Sequence, residues 1–336
     1  MGALKLRIAL EKLRLSAPFR ISGFVFEEQE VVVVTLGDGI HSGRGEASGV
    51  YYLGDTAQGM MAAIEGVRSA IEAGVDRAAL QGLLPPGGAR NAVDCALWEL
   101  DAQRRRMPVW KLAELPPVKP LVTTFTLGAD DPATMAAGAR KYAQARSLKL
   151  KLTGDLDLDI ARVQAVRAVR PDVWMGVDAN QGYGIEALDS LIGRLIPSKI
   201  SLLEQPIKRG RETDLTGFRS PIPIAADESA LSFADLAGLP GRFDVVNIKL
   251  DKCGGLTEGL AMAYEARRLG LKVMVGNMVG TSLAMAPAFV LGQLCDVVDL
   301  DGPIFLAQDR KPGMTYVDGA AWSGDEVWGA THAGSA

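Results

Sequence analysis

Residues 148–178 read LKLKLTGDLDLDIARVQAVRAVRPDVWMGVD. The spacing predicts a short strand over Leu148–Leu152, a helix, and a second strand over Val173–Asp178. A strand, a helix and a second strand within about 30 residues make a parallel crossover unit. Further along, the same grammar predicts strands at Ile200–Glu204, Pro223–Asp227, Val245–Lys249, Lys272–Gly276 and Val297–Asp301, with one before it at Leu121–Leu127. From Lys151 the strand ends recur at Asp178, Glu204, Asp227 and Lys249, at intervals of 27, 26, 23 and 22 residues. Eight such units close a barrel. An open doubly wound sheet usually carries a G-x-G-x-x-G turn after its first strand, and none follows a strand here.

The stretch before Leu115-Pro116-Pro117 has another order. Lys5–Leu13 and Glu30–Leu36 are β-rich, and helical periodicity follows at Thr56–Ala73 and Asn91–Arg105. Strands followed by helices, without alternation, predict a small α+β domain.

Composition narrows the class. The chain has 336 residues, 48% hydrophobic and 23% charged, which excludes disorder and fibrous repeats. A net charge of -4 carries no global field for nucleic acid. The two histidines, His41 and His332, are too few for a multi-histidine zinc site. Cys95, Cys253 and Cys295 are odd in number and widely spaced, as in a reducing compartment. The charged N-terminal run has no apolar signal core, and no stretch reaches the ~20 apolar residues of a membrane span. The expectation is a cytoplasmic protein with a small-molecule partner and no membrane partner; the oligomeric state, a homo-oligomer included, stays open.

The strands are apolar until their last residue or two, then end in an ionisable group: Lys151, Asp178, Glu204, Asp227, Lys249 and Asp301. In a barrel these ends converge on the face where active sites are built. Taken singly, Asp178 also reads as a helix N-cap and a strand-end lysine as a solvated side chain. Taken together they do not, because unpaired buried charge is rare. Asp178, Glu204 and Asp227 are three hard oxygen donors on successive strands, suited to octahedral Mg²⁺. Lys151 and Lys249 flank them, placed to remove and return a proton from opposite sides of a bound substrate. Lys149 shares a strand face with Lys151 and is expected to depress its pKa by like-charge repulsion.

At these residues the chain resembles the enolase superfamily, muconate-lactonizing subgroup. The motifs are LKLKLTGD, VDANQGY, LLEQPI, AADES and NIKLDKCGG. The resemblance spans the whole chain. It implies a modified TIM barrel, (β/α)7β, with an N-terminal α+β capping domain completed by the C-terminal tail. The implied division is a cap over 1–116, a barrel over 117–303 and a returning segment over 304–336. The Lys-base, Mg²⁺-enediolate chemistry is the superfamily's own, with Asn180 and Glu228 supporting the metal ligands. VVDLDGP resembles the D-x-D motif of dipeptide epimerases, so Asp299 and Asp301 are expected to hold a dipeptide's α-ammonium group. Two buried aspartates do require a cation. Thr126 and Asn277 fall where that family contacts the substrate backbone.

The resemblance implies epimerisation of a dipeptide at the α-carbon of its C-terminal residue. A muconate-type cycloisomerase, an N-acylamino acid racemase and a non-catalytic small-ligand barrel are the alternatives. One departure bears on specificity. Epimerases acting on L-Ala-D/L-Glu carry an arginine in the loop that RISGFVFEEQ (20–29) matches, and here Gly23 and Phe24 stand in its place. With Tyr51 and Tyr52 in the second cap loop, an apolar or aromatic side chain is expected to be preferred over an acidic one, and a basic one is admitted through Glu27 or Glu28.

Overall fold

The computed structural model describes residues 3–21 and 24–330, without the side chains of residues 19, 21 and 24. The expected side-chain role of Phe24 therefore lies outside the described residues. Strands β1 (Lys5–Ile21), β2 (Phe24–Gly37) and β3 (Ser42–Ala47) form an antiparallel sheet in that order. Helices α1 (Ala57–Gly66), α2 (Arg68–Glu72), α3 (Arg77–Leu83) and α4 (Gly88–Arg105) complete the cap. Its core joins one face of the sheet, Val32, Val34 and Leu36, to Met60, Ile64, Leu97 and Leu100. β3 is a strand the sequence periodicity did not reveal, because SGRGEA is short and glycine-rich.

That glycine content has a packing reason. A Cβ on Gly43 would lie 2.1 Å from Ala96 O, and one on Gly45 would lie 2.1 Å from Ala92 O. Only glycine lets the backbone of α4 settle onto β3.

β4 (Leu121–Val122) leaves the barrel and pairs with β14 (Ala320–Trp322), itself paired with β13 (Thr315–Val317). The predicted first barrel strand is therefore split, and only β5 (Thr124–Leu127) joins the barrel. β6 (Ser147–Lys151), β7 (Trp174–Asp178), β8 (Leu202–Glu204), β9 (Ile224–Ala226), β10 (Val245–Ile248), β11 (Lys272–Val275) and β12 (Val297–Val298) follow in sequence order, all parallel. This eight-stranded parallel sheet with an N-terminal cap is the architecture expected from the strand spacing and the resemblance. Its seam, between β5 and β12, is closed by side chains. Thr126 N–H donates to Asp301 Oδ2 at 2.6 Å, Leu300 N–H to Thr123 Oγ1 at 2.9 Å, and Thr124 Oγ1 to Asp299.

Each barrel strand is buried on both faces. In β6 the leucines and lysines alternate, so Leu148 and Leu150 face one side and Lys149 and Lys151 the other. Among the described residues no helix is long and apolar enough to cross a membrane.

The close approach of β3 and α4 predicts opposite outcomes for two glycine substitutions. Gly45→Ala should destabilise the protein by about 3 kcal/mol. Gly193→Ala, inside helix Ile185–Leu195 with nothing within 4 Å of the added methyl, should stabilise it by about 0.5–1 kcal/mol. Urea denaturation of both variants checks the pair.

Candidate active site

The strand ends deliver the expected charges to one mouth. Register pairs Lys151 with Asp178 and Asp178 with Glu204 across β6, β7 and β8. Asp227 follows β9 and Lys249 follows β10. Five successive strands thus present lysine, three carboxylates and lysine. The carboxylates of Asp178, Glu204 and Asp227 are buried and offer oxygens within 4.8 Å of one another. Asp178 caps no helix: the next one begins after Gly184, and Asp178 Oδ1 accepts the Asn180 N–H at 2.9 Å instead.

Ion pairs hold the charges in place. Lys151 Nζ lies 2.6 Å from Asp178 Oδ2, and Lys249 Nζ lies 2.7 Å from Asp227 Oδ2. Lys149 Nζ is bonded to Asp299 and lies 3.8 Å from Glu204 Oε2. Lys149 therefore does not act on Lys151 as a bare cation. Burial works against its charge, but Asp299, Glu204 and Asp178 outweigh burial and raise its pKa. Lys249 is likewise held protonated: burial opposes, and Asp227, Glu204, Tyr52 and Asp178 prevail.

The acids show the crowding from the other side. Burial, then Asp178, push Glu204 up to about 8. Burial, then Asp227, push Glu228 up to about 7. Asp227 goes the other way: burial opposes, but Lys249 and Lys252 hold it well below the usual carboxylate range.

Among the described residues, five buried oxygens at this mouth have no hydrogen-bond partner: Glu204 Oε2, Asn180 Oδ1, Glu228 Oε2, Asn247 Oδ1 and the Tyr52 hydroxyl. Orphaned acceptors beside three clustered carboxylates fit a hard divalent cation, and among the described residues no His or Cys joins that cluster.

Above the carboxylates a pocket is lined by Thr126, Lys149, Lys151, Asn180, Asp227, Glu228, Lys249, Asn277, Asp299 and Asp301. Its outer wall is apolar, with Phe26, Tyr51, Tyr52, Met278, Val279 and Phe305. Phe26 and Tyr51 meet edge-on at 5.3 Å, as do Tyr51 and Tyr52 at 5.2 Å. Glu27 and Glu28 are not among the lining residues, and Glu28 faces Lys12 on the exterior at 3.5 Å. Glu27 is turned from Phe26 by strand alternation and Glu28 is drawn to Lys12, so neither presents a carboxylate to this pocket. Asp299 and Asp301 differ in state: Asp299 is paired with Lys149, whereas burial, then Asp299, push Asp301 up to about 6. Asn277 Nδ2 donates to Asp299 O at 2.6 Å.

Four residues of this mouth escaped the sequence reasoning. Lys252 Nζ, with no exposed side chain, donates to Asp227 Oδ1 at 2.6 Å. Asn247 Nδ2 donates to Glu204 Oε1 at 2.7 Å. Gln205 Oε1 accepts the N–H groups of Asp227 and Ser229. Asp251 Oδ1 accepts those of Ser48 and Gly49, at 2.9 and 3.2 Å. The signals were present for two of them: Asn247 shares a strand face with Lys249, and Lys252 stands one helical turn beyond it.

Residues 133–320 match the family described as enolase C-terminal domain-like, and residues 3–113 match the mandelate racemase/muconate lactonizing enzyme N-terminal domain. The chain belongs to the enolase superfamily. It is 38% identical over 305 residues to the L-Ala-D/L-Glu epimerase of Escherichia coli K12, covering 91% of this chain and 95% of that protein. A crystal structure of an enolase family member from Agrobacterium tumefaciens with homology to dipeptide epimerases holds sodium and L-Ala-L-Glu. It superposes with a TM-score of 0.94 at 41% identity, covering 97% of this chain and all of that one. The dipeptide epimerase of Enterococcus faecalis V583, complexed with Mg and L-Leu-L-Tyr, superposes with a TM-score of 0.87 at 27% identity, covering 94% of each chain.

Asp251, two residues after Lys249, holds the root of the loop that carries Tyr51 and Tyr52 through the N–H groups of Ser48 and Gly49. Asp251→Ala would leave two buried N–H groups without an acceptor, a loss of about 3 kcal/mol. Hydrogen exchange should then quicken over residues 48–53 and stay unchanged in β6 and β7, as read by mass spectrometry.

Proposed function

We propose that this chain is an Mg²⁺-dependent dipeptide epimerase, an isomerase that inverts the α-carbon of the C-terminal residue. The observation that carries this is the succession lysine, three carboxylates, lysine on five adjacent strands, beside an Asp-x-Asp pair at the seam. Asp178, Glu204 and Asp227 would hold the cation. Bound Mg²⁺ supplies positive charge that stabilises the substrate carboxylate as negative charge develops there.

The chain's own residues do the rest. Lys151 and Lys249 flank the carboxylates, so each reaches one face of a substrate seated between them. One Nζ takes the α-proton and the other delivers a proton to the opposite face. Both ammonium groups now sit on carboxylates of the proposed metal site; freed of Asp227, the buried Lys249 amine loses the interaction that does most to hold it protonated. Asn180 and Glu228 flank the ligands. Asp301 is the carboxylate we assign to the substrate's α-ammonium group, because Lys149 already neutralises Asp299. Thr126 and Asn277, bonded to the Asp301 loop, shape the floor of that subsite.

The pocket wall of Phe26, Tyr51, Tyr52 and Val279 supports an apolar or aromatic C-terminal residue. An acidic residue is the second reading, favoured by the L-Ala-L-Glu held in the Agrobacterium structure. The three free cysteines support a reducing compartment, and the cytoplasm is the one we propose.

The activity is tested by incubating L,L-dipeptides with Mg²⁺ in D₂O. Deuterium should enter the C-terminal α-position, with L-Ala-L-Phe turned over faster than L-Ala-L-Glu. An absence of exchange across the library overturns the function; a preference for L-Ala-L-Glu overturns only the side-chain assignment.

Two variant experiments divide the roles. Lys151→Ala and Lys249→Ala should each abolish epimerisation yet exchange deuterium into opposite epimers of the substrate, as NMR of each pure isomer would show. Asp301 has its own signature. With its pKa raised to about 6, it loses charge as pH falls through that value, so the ammonium loses its partner. KM should therefore rise below pH 6 while kcat changes less. N-acetylation of the substrate should lower kcat/KM by about 100-fold, or about 3 kcal/mol.

A further inference from the structure

In each of the three clustered carboxylates one oxygen is committed to a fixed donor. Asp178 Oδ1 accepts the Asn180 N–H at 2.9 Å. Glu204 Oε1 accepts Asn247 Nδ2 at 2.7 Å. Asp227 Oδ1 accepts Lys252 Nζ at 2.6 Å. None of these donors has slack. The Asn180 N–H belongs to the turn after β7, Asn247 stands on β10, and Lys252 is anchored by two further acceptors, Asp227 O at 2.5 Å and Asn247 O at 2.9 Å. The second oxygens are of another kind. Glu204 Oε2 has no hydrogen-bond partner, and Asp178 Oδ2 and Asp227 Oδ2 face only the flexible ends of Lys151 and Lys249.

We propose that Lys252 and Asn247 are positioning residues that restrict Asp227 and Glu204 to one metal-facing oxygen each, and so select Mg²⁺ over Ca²⁺. The chemistry is that of coordination number. Mg²⁺ takes six ligands in near-ideal octahedral geometry and is satisfied by three single carboxylate oxygens plus water or substrate. Ca²⁺ takes six to eight and is favoured when carboxylates swing to offer both oxygens. An ammonium group on Asp227 Oδ1 and an amide on Glu204 Oε1 block that swing. The buried Lys252 charge adds to this, because an ammonium group held on Asp227 Oδ1 makes that oxygen a poor ligand for a second contact with the cation.

The inference rests on the proposed metal role of the three carboxylates, and the test separates the two. Mg²⁺ and Ca²⁺ affinities are measured by calorimetry on the whole protein and on Lys252→Met and Asn247→Leu. Both variants are first checked for folding by circular dichroism. In the wild type Mg²⁺ binds in preference to Ca²⁺; in each variant the ratio of Ca²⁺ to Mg²⁺ affinity rises at least about tenfold, because a freed oxygen serves the larger ion. A general loosening of the fold would weaken both ions alike and leave the ratio where it was. If the folded variants keep the wild-type ratio, or the wild type itself prefers Ca²⁺, the inference is overturned. No binding of either ion to the wild type overturns the metal role itself. Should Lys252→Met not fold, a crystal structure of the wild type with Ca²⁺ decides: Asp227 bound through Oδ2 alone upholds the inference, and Asp227 bound through both oxygens overturns it.

Discussion

The structure depends on mutual neutralisation of charge at the carboxyl ends of the barrel strands. Asp178, Glu204, Asp227, Asp299 and Asp301 are all buried there, and so are Lys149, Lys151, Lys249 and Lys252. A single buried ion of either sign costs several kcal/mol, and removing one partner from a pair strands the other. Here each lysine has a carboxylate within bonding reach, so the cost is spread over the whole constellation. What remains unbalanced is acid. Glu204, Glu228 and Asp301 are all pushed upward in pKa by burial and by neighbouring carboxylates. A mouth left short of positive charge takes up cations, and both the proposed Mg²⁺ and the proposed substrate ammonium answer that shortage.

The cap is bound to this mouth by polar contacts, and those contacts end at the site. Glu46, buried at the end of β3, accepts Thr281 N–H at 2.7 Å and Arg310 Nη2 at 2.6 Å. Ser48 Oγ donates to Val279 O at 2.5 Å, and Ser48 N–H to Asp251. The loop that follows, with Tyr51 and Tyr52, is thereby fixed at its root and packed through aromatic edges along its length. Such a loop presents its rings to the pocket from a rigid base, while the chemistry stays on the strands beneath it.

The seam of the barrel shows one set of residues under two demands. Asp299 and Asp301 close the gap between β5 and β12 through Thr124 and Thr126, where backbone pairing gives out. They also line the pocket above the carboxylates. A substitution there disturbs closure and the pocket together, which is why the proposed amine subsite is better probed by changing the substrate or the pH than by mutation alone.

The barrel, the buried acidic triad of Asp178, Glu204 and Asp227 and its flanking lysines were legible in the amino-acid sequence for a simple reason. A β-strand buried on both faces admits a charge only where function demands it, so Lys151, Asp178, Glu204 and Lys249 stand out against apolar runs. The spacing of those charges reports the βα period directly. The partner of each charge was not legible, because pairing crosses between strands whose register and side-chain reach are set only on closure. Lys149 reads as a lone cation beside Lys151 until Asp299, 150 residues away, comes to meet it. Lys252 carries no assignment from sequence, and only the short helix Leu250–Cys253 brings it under Asp227. Glu27 and Glu28 adjoin a pocket residue in the chain and are absent from the pocket in space. Residue type and period are local properties of a chain, whereas charge compensation is a property of the closed barrel.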